Sequence, residues 1–223
     1  MDVSEVLRRR NSTRAFLKTP VDQRMIRELL QRAARSPSSG NLQPWRVQIL
    51  SGQALARFKG VIAARIETDR DADAPDYAVY PDPLEEPYRS HRYTVGEDMY
   101  RLLAIGRDDR AARRAWFARN FQFFDAPCAA FFFVERQMGP GQWADLGMFE
   151  QSLMLLLAEN GLGSCAQACW TRYHLTVSEF LEVPVSYRLH CGMAIGYPDP
   201  EAAVNALVSQ RMDVDEFCIF TDE

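Results

Sequence analysis

The sequence predicts an α+β fold in one domain of 223 residues. Apolar periods of both helix and strand occur along the chain, they intermix without a regular βαβ cadence, and no repeat or linker divides them. The length suits a single unit with a substantial core.

Asp2–Arg9 opens as a short amphipathic helix with Val3, Val6 and Leu7 on one side. From Val21 onward, Met25, Ile26, Leu29, Leu30 and Ala33 recur with helical period. Asp22 is a candidate cap. Ser36-Pro37 stops this helix, because the residue before proline is pushed out of helical geometry. Ser38-Ser39-Gly40-Asn41 has a turn composition, and Trp45–Leu50 alternates as a strand around Val47 and Ile49. The stretch from about Glu67 to Pro87 is rich in Asp, Glu and Pro, with Tyr77, Tyr80 and Tyr88 interleaved. It reads either as a solvated excursion or as a folded flap.

Tyr100–Arg119 is helical in pattern, with solvated Arg and Asp on its outer faces. Cys128–Glu135 is a continuous apolar run, suited to a strand buried on both faces. Asp145–Glu159 is a helix apolar on most sides, which belongs inside a fold, and Asn160-Gly161 supplies its stop. His190–Gly196 reads as a second buried strand and Glu216–Phe220 as a short terminal one. That last strand needs a sheet edge to pair with, either its own or a neighbouring subunit's.

With 26 basic and 30 acidic residues the net charge is −4, which gives no electrostatic case for nucleic acid or an anionic membrane. Apolar runs such as Ala126–Val134 are far shorter than the roughly 20 residues of a membrane span. Met1–Arg10 lacks the apolar stretch of a secretory signal, so a soluble, cytoplasmic protein is expected. Five cysteines, odd in number and without a CxxC pair, read as buried free thiols. Cys165 and Cys169, four apart, could share a helix face. No histidine is spaced to complete a zinc site with them, and no metal is expected.

Two clusters could carry chemistry. Arg10-Asn11-Ser12-Thr13-Arg14 sets two guanidinium groups around an amide and hydroxyls, suited to a phosphate and a polar ring edge, or simply to a solvated helix end. Pro37-Ser38-Ser39-Gly40-Asn41-Leu42-Gln43-Pro44-Trp45 offers small residues for close backbone approach and short hydrogen-bonding side chains, or is an ordinary helix-to-strand turn. Neither a Walker loop, a GxGxxG, a GxSxG nor an HExxH occurs.

Together these clusters resemble the FMN-dependent nitroreductase family. The resemblance continues through Asn120-x-x-Phe123-Phe124-x-Ala126-Pro127, Trp143-Ala144-Asp145-Leu146-Gly147, Gly161-Leu162-Gly163, Cys191-Gly192-Met193-Ala194-x-Gly196-Tyr197 and Arg211. It implies an intertwined homodimer with a mixed, mostly antiparallel sheet flanked by helices, and FMN sites shared between subunits. By position, Arg10, Ser12 and Arg211 look like phosphate and ribityl-end ligands, and Asn11 and Arg14 look placed beside the isoalloxazine. Pro37, Ser38, Ser39 and Asn41 would reach over from the partner, with Asp145 and Gly147 adding contacts between chains. The backbone of Ala166, Gln167 and Ala168 would approach flavin N5, with Asn120 near the pyrimidine ring. Ser209 stands where some members have lysine, which places more of the phosphate binding on Arg10 and Arg211.

The family chemistry implied is ping-pong hydride transfer from NADH or NADPH through the flavin to nitroaromatics, quinones or similar electron-poor acceptors. The excursion at about 62–119 would select the acceptor, with Tyr88, Tyr93, Trp116, Phe121 or Phe123 sandwiching a planar ring. Alternatives are the flavin chemistry of superfamily relatives (reductive dehalogenation or flavin consumption) and a non-catalytic flavin-binding protein.

Overall fold

The computed structural model describes residues 2–68, 72–74 and 76–221. Its centre is β2 (Cys128–Glu135), with seven of eight residues buried. Side chains alternate across a strand, so Ala129, Phe131 and Phe133 feed one apolar cluster while Cys128, Ala130, Phe132 and Val134 feed another. Around it stand β1 (Arg46–Ser51), β3 (Gly163–Gln167) and β4 (Tyr187–Gly196). The order is β1-β2-β4-β3, antiparallel throughout, with a register shift between Phe132 and Phe133 where β2 meets β4.

Helices cover both faces. On one side lie α2 (Gln23–Ala33), capped by Asp22 as the sequence predicts, and α6 (Pro140–Glu159). On the other lie α3 (Gly52–Thr68), α7 (His174–Phe180) and a tight segment over Arg119–Asp125. The helix α1 (Val3–Arg9) buries only Val6, leaving Val3 and Leu7 exposed. In the middle of the second face sits Trp170, wholly buried among Phe58, Phe121, Phe123 and Phe131.

Several sequence expectations change. The helix expected over Tyr100–Arg119 is two, α4 (Tyr88–Leu102) and α5 (Arg110–Ala118). Left-handed Ala104 ends the first, and the Asp109 side chain caps the second by accepting from the Ala112 N–H. The long helix begins at Pro140, five residues before Asp145, because proline at the first turn is favourable. Cys165 lies in β3 and Cys169 in the 3₁₀ turn after it, so they share no helix face. The terminal strand expected over Glu216–Phe220 is instead a helical turn, α8 (Val214–Phe217), followed by chain without regular secondary structure. Asp213 and Glu216 form a reciprocal capping box there, and those local bonds outweigh the apolar run's strand preference. Phe217, Ile219 and Phe220 remain exposed.

A Cβ on Gly192 of β4 would lie 2.3 Å from Cδ1 and 2.7 Å from Nε1 of Trp170. Trp170 is hemmed in by other rings and cannot yield cheaply, so Gly192→Ala should cost about 1–3 kcal/mol. Thermal melts should show a Tm several degrees below wild type; an unchanged Tm would mean that the indole shifts freely.

Candidate active site

The Arg10–Arg14 segment leaves α1 and runs along the β3 edge. Ser12 bridges to Ser164 in parallel, and the Thr13 N–H donates to the Ser164 carbonyl at 3.0 Å. A Cβ on Gly163 would lie 2.3 Å from Thr13 Oγ1, so only glycine lets the two backbones approach this closely. Asn205 clamps the outer side. Its Oδ1 accepts from the Arg14 N–H (2.8 Å), its Nδ2 donates to the Ala15 and Asp199 carbonyls, and its own carbonyl accepts from Asn11 Nδ2 (2.7 Å). Asn11 is therefore occupied in holding the loop. Nothing in the sequence pattern marks Asn205.

This frame leaves the guanidinium groups without acidic partners. Burial, and next the nearby Arg211, hold the Arg10 pKa below its ordinary value. Among the described residues the Arg14 guanidinium donates only to the Ser12 carbonyl (3.2 Å), while Arg211 donates to the Ser209 carbonyl and hydroxyl and to the Gln210 carbonyl. Ser209, at the position where lysine was absent, thus positions Arg211. Among the described residues no carboxylate pairs with Arg10, Arg14 or Arg211. Half-buried Arg10 and exposed Arg211 repel one another, and a bound anion such as phosphate, which accepts from guanidinium groups, would relieve that repulsion.

At the end of β3, Ala166 is exposed and Gln167 buried. Gln167 Nε2 donates to Asn120 at both the backbone carbonyl (2.9 Å) and Oδ1 (3.1 Å), and its Oε1 accepts from Trp170 Nε1 (3.2 Å). Asn120 Nδ2 in turn donates to the Phe117 carbonyl. Asn120 and the Ala166–Ala168 segment are thus joined through the Gln167 side chain. Nearby, Phe123, Phe124 and Asp125 are consecutive left-handed residues, a costly backbone held in place by the burial of both rings.

The second cluster sits elsewhere. The Ser39 N–H donates to Asp145 Oδ2 (3.1 Å), and Ser38 Oγ accepts from the Gln43 N–H. Gly40, Asn41 and Gln43 all adopt positive φ, so the turn following Pro37 is tightly coiled. Trp45 stacks on Phe149 of α6, 4.9 Å between centroids. Asp145 is buried and holds its own chain's turn, whereas Gly147, two residues along the helix, is exposed. This cluster belongs to the β1 edge and the start of α6. The arginine cluster belongs to the β3 edge, where Arg10 shares a small cleft with Ala158 near the end of α6. Asp145 and Ala158 are separated by about 20 Å of helix.

The excursion folds over a third feature, a cavity of about 920 Å³ lined by Tyr77, Tyr80, Tyr93 and the Thr171–Arg172 turn that follows β3. Of the aromatic residues expected to contact substrate, Tyr93 lines it. Phe121 and Phe123 are core, Trp116 packs against that core, and Tyr88 is exposed at the start of α4.

Fold and site together define an antiparallel α+β protein whose sheet edge carries an arginine cluster, without an ion-pair partner among the described residues, beside a hydrogen-bonded backbone turn and an aromatic cavity. The chain belongs to the nitroreductase family, whose model matches residues 7–197. It is 35% identical to a 4-nitrobenzoate reductase of Pseudomonas putida, over 94% of this chain and 91% of that one. Its structure is similar to that of the FMN and NADPH-dependent nitroreductase NfnB of Sphingopyxis sp. strain HMH (TM-score 0.97, 43% identity, both chains covered completely). It is also similar to the FMN-dependent nitroreductase NfnB of Mycobacterium smegmatis in complex with NADPH (TM-score 0.92, 27% identity, covering 98% and 97%). Among the described residues, no helix is long and apolar enough to cross a membrane.

A polar group that the apolar reading of the long helix passed over lies between α6 and β4. Both oxygens of buried Glu150 lie 3.5 Å from Cys191 Sγ, and His190 Nε2 is 3.6 Å away. The signal is a carboxylate, followed by Gln151 and Ser152, interrupting a mostly apolar helix. Burial pushes the Glu150 carboxyl up from 4.5 to about 7, and the Cys191 hydrogen bond opposes this only partly. A carboxyl with a raised folded pKa keeps its proton in the fold while the unfolded chain loses it, so stability falls as pH rises from about 4.5 to about 7. The loss is about 3 kcal/mol once the group is ionised. Glu150→Gln should therefore melt at a higher temperature than wild type above pH 7, with the advantage vanishing toward pH 4.5. Parallel Tm-against-pH curves for the two proteins would refute this.

Proposed function

We propose that this chain is an FMN-dependent NAD(P)H oxidoreductase that reduces nitroaromatics, quinones or similar electron-poor small molecules, working as a homodimer. The observation that carries the reading is the convergence of Arg10, Arg14 and Arg211, none ion-paired among the described residues, beside the exposed residue Ala166. These residues fit FMN, whose phosphate is a dianion and whose ring needs hydrogen bonds at one edge. When bound, FMN supplies two-electron transfer between the nicotinamide and the acceptor.

The chain's residues bind and orient. Arg10, Ser12 and Arg211 would hold the phosphate end of FMN, and Arg14 would supply a positive charge toward its ring system. Asn11 and Asn205 keep that loop rigid, and Gln167 with Asn120 fixes the Ala166–Ala168 backbone. Ser38, Ser39 and Asn41 serve the partner's site, with Asp145 positioning them. The separation of the two clusters along α6 and at opposite sheet edges supports a site completed by a second copy. So do the exposed apolar residues Val3, Leu7, Met148, Ile219 and Phe220, which a partner would cover. The activities named for the relatives support the acceptor class.

The purified protein should be yellow, with about one FMN per chain, and should oxidise NADPH or NADH when nitrobenzoate or a quinone is added. A flavin-loaded protein with no acceptor-dependent oxidation of either nucleotide would overturn the enzymatic reading. Losing one charge-assisted bond costs about 1.5–3 kcal/mol, so Arg211→Ala should weaken FMN binding by roughly tenfold or more. Titration of the folded variant checks this, and unchanged affinity removes Arg211 from the site.

The tail supplies a second test. Ending the chain after Asp213 removes Phe217, Ile219 and Phe220, and should lower dimer stability and FMN content together. Light scattering and flavin absorbance report the two quantities. A truncated dimer with full flavin would make the tail dispensable.

A further inference from the structure

The excursion cavity contains more positive charge than its structural bonds use. Its frame is firm: the Tyr77 hydroxyl donates to the His190 carbonyl at 2.6 Å, the Asp73 N–H donates to the Arg172 carbonyl at 2.8 Å, and Thr171 Oγ1 donates to the Ala168 carbonyl at 2.9 Å. Three of the charged groups in its lining are neutralised. Asp73 pairs with Arg65, Glu97 takes Arg113 in a two-pronged bond, and Arg89 pairs with Glu86. Three remain. Arg92 lies over the Tyr80 ring, 4.3 Å from the guanidinium carbon to the centroid, and Arg172 projects from the turn after β3. Neither has a carboxylate partner among the described residues, and the third, Asp82, is exposed in the Pro81–Pro83 turn. The unpaired lining therefore carries one net positive charge, among tyrosines.

We propose that this cavity is the acceptor site and that Arg92 and Arg172 select planar nitroaromatics bearing a carboxylate. The inference rests on the reductase reading and deepens it. Tyrosine faces accept a planar ring, guanidinium groups accept a carboxylate with matched geometry, and the volume of about 920 Å³ suits a small aromatic acid. The floor of the cavity, Thr171–Arg172, continues directly from Ala168, so a ring held there lies next to the segment assigned to the flavin. The guanidinium over Tyr80 is held ready by the ring, which lowers the ordering cost of meeting an anion.

The test compares 4-nitrobenzoate with nitrobenzene as acceptors of the flavin-loaded enzyme. The kcat/KM ratio of acid to neutral compound should fall at least tenfold in Arg92→Gln and in Arg172→Gln, mostly through KM, and should be partly restored in Arg92→Lys. An unchanged ratio overturns the proposal. So does a rise in the KM for NADPH with none for NADH, which would assign the arginines to the 2′-phosphate of the nucleotide. Calorimetry on the same holoprotein with 4-aminobenzoate and aniline keeps the inference separate from turnover. The acid should bind at least tenfold tighter to wild type and lose that margin in the double glutamine variant. Loss of turnover with this margin intact would refute the reductase reading and leave the anion site standing; equal binding of acid and amine would refute the site.

Discussion

A strand buried on both faces must be covered twice, and β2 imposes that requirement on the rest of the chain. Its alternating residues feed two separate apolar clusters, so helices are needed above and below. One of those clusters closes over Trp170, which lies against the bare backbone of Gly192 in the next strand. Because the Trp170 N–H bonds Gln167, and Gln167 bonds Asn120, the packing of the core fixes the turn where the sheet edge meets solvent. The site inherits its rigidity from the hydrophobic layer behind it.

Electrostatics works in the opposite direction. Burial, and next the nearby Arg211, disfavour the charged form of Arg10, and the Asn205 clamp holds the loop that carries Arg10 and Arg14 in place despite that repulsion. The three left-handed residues at Phe123–Asp125 add backbone strain on the other side of the turn. Both costs sit beside the site, and both are offset by buried rings and backbone hydrogen bonds elsewhere in the fold.

Much of the fold was legible because its signals are local. Cys128–Glu135 reads as a strand from seven successive apolar residues, and Asp22, Pro37 and Gly161 mark helix limits by their own stereochemistry. The helix α3 went unread although Leu55, Phe58 and Ile62 recur at helical spacing. The terminal turn was misread because a capping box at Asp213 and Glu216 competes with an apolar run that resembles a strand. In the site, the arginines and the serine turn were visible as residue types. The supports were not. Asn205, the Gln167 side chain and the Asp145 bond to Ser39 act across long sequence separations, and no spacing rule reports them.

The arrangement of the two clusters at opposite sheet edges has a genetic consequence. On the proposed assembly, each site takes its arginine loop from one chain and its serine turn from the other. A chain damaged only at Arg10–Arg14 and a chain damaged only at Ser38–Asn41 would each form inactive pairs with themselves. Paired with each other, they would assemble one site from two intact halves and one from two damaged halves. Two null alleles of this gene could therefore complement in the same cell, restoring function at a single site per mixed dimer.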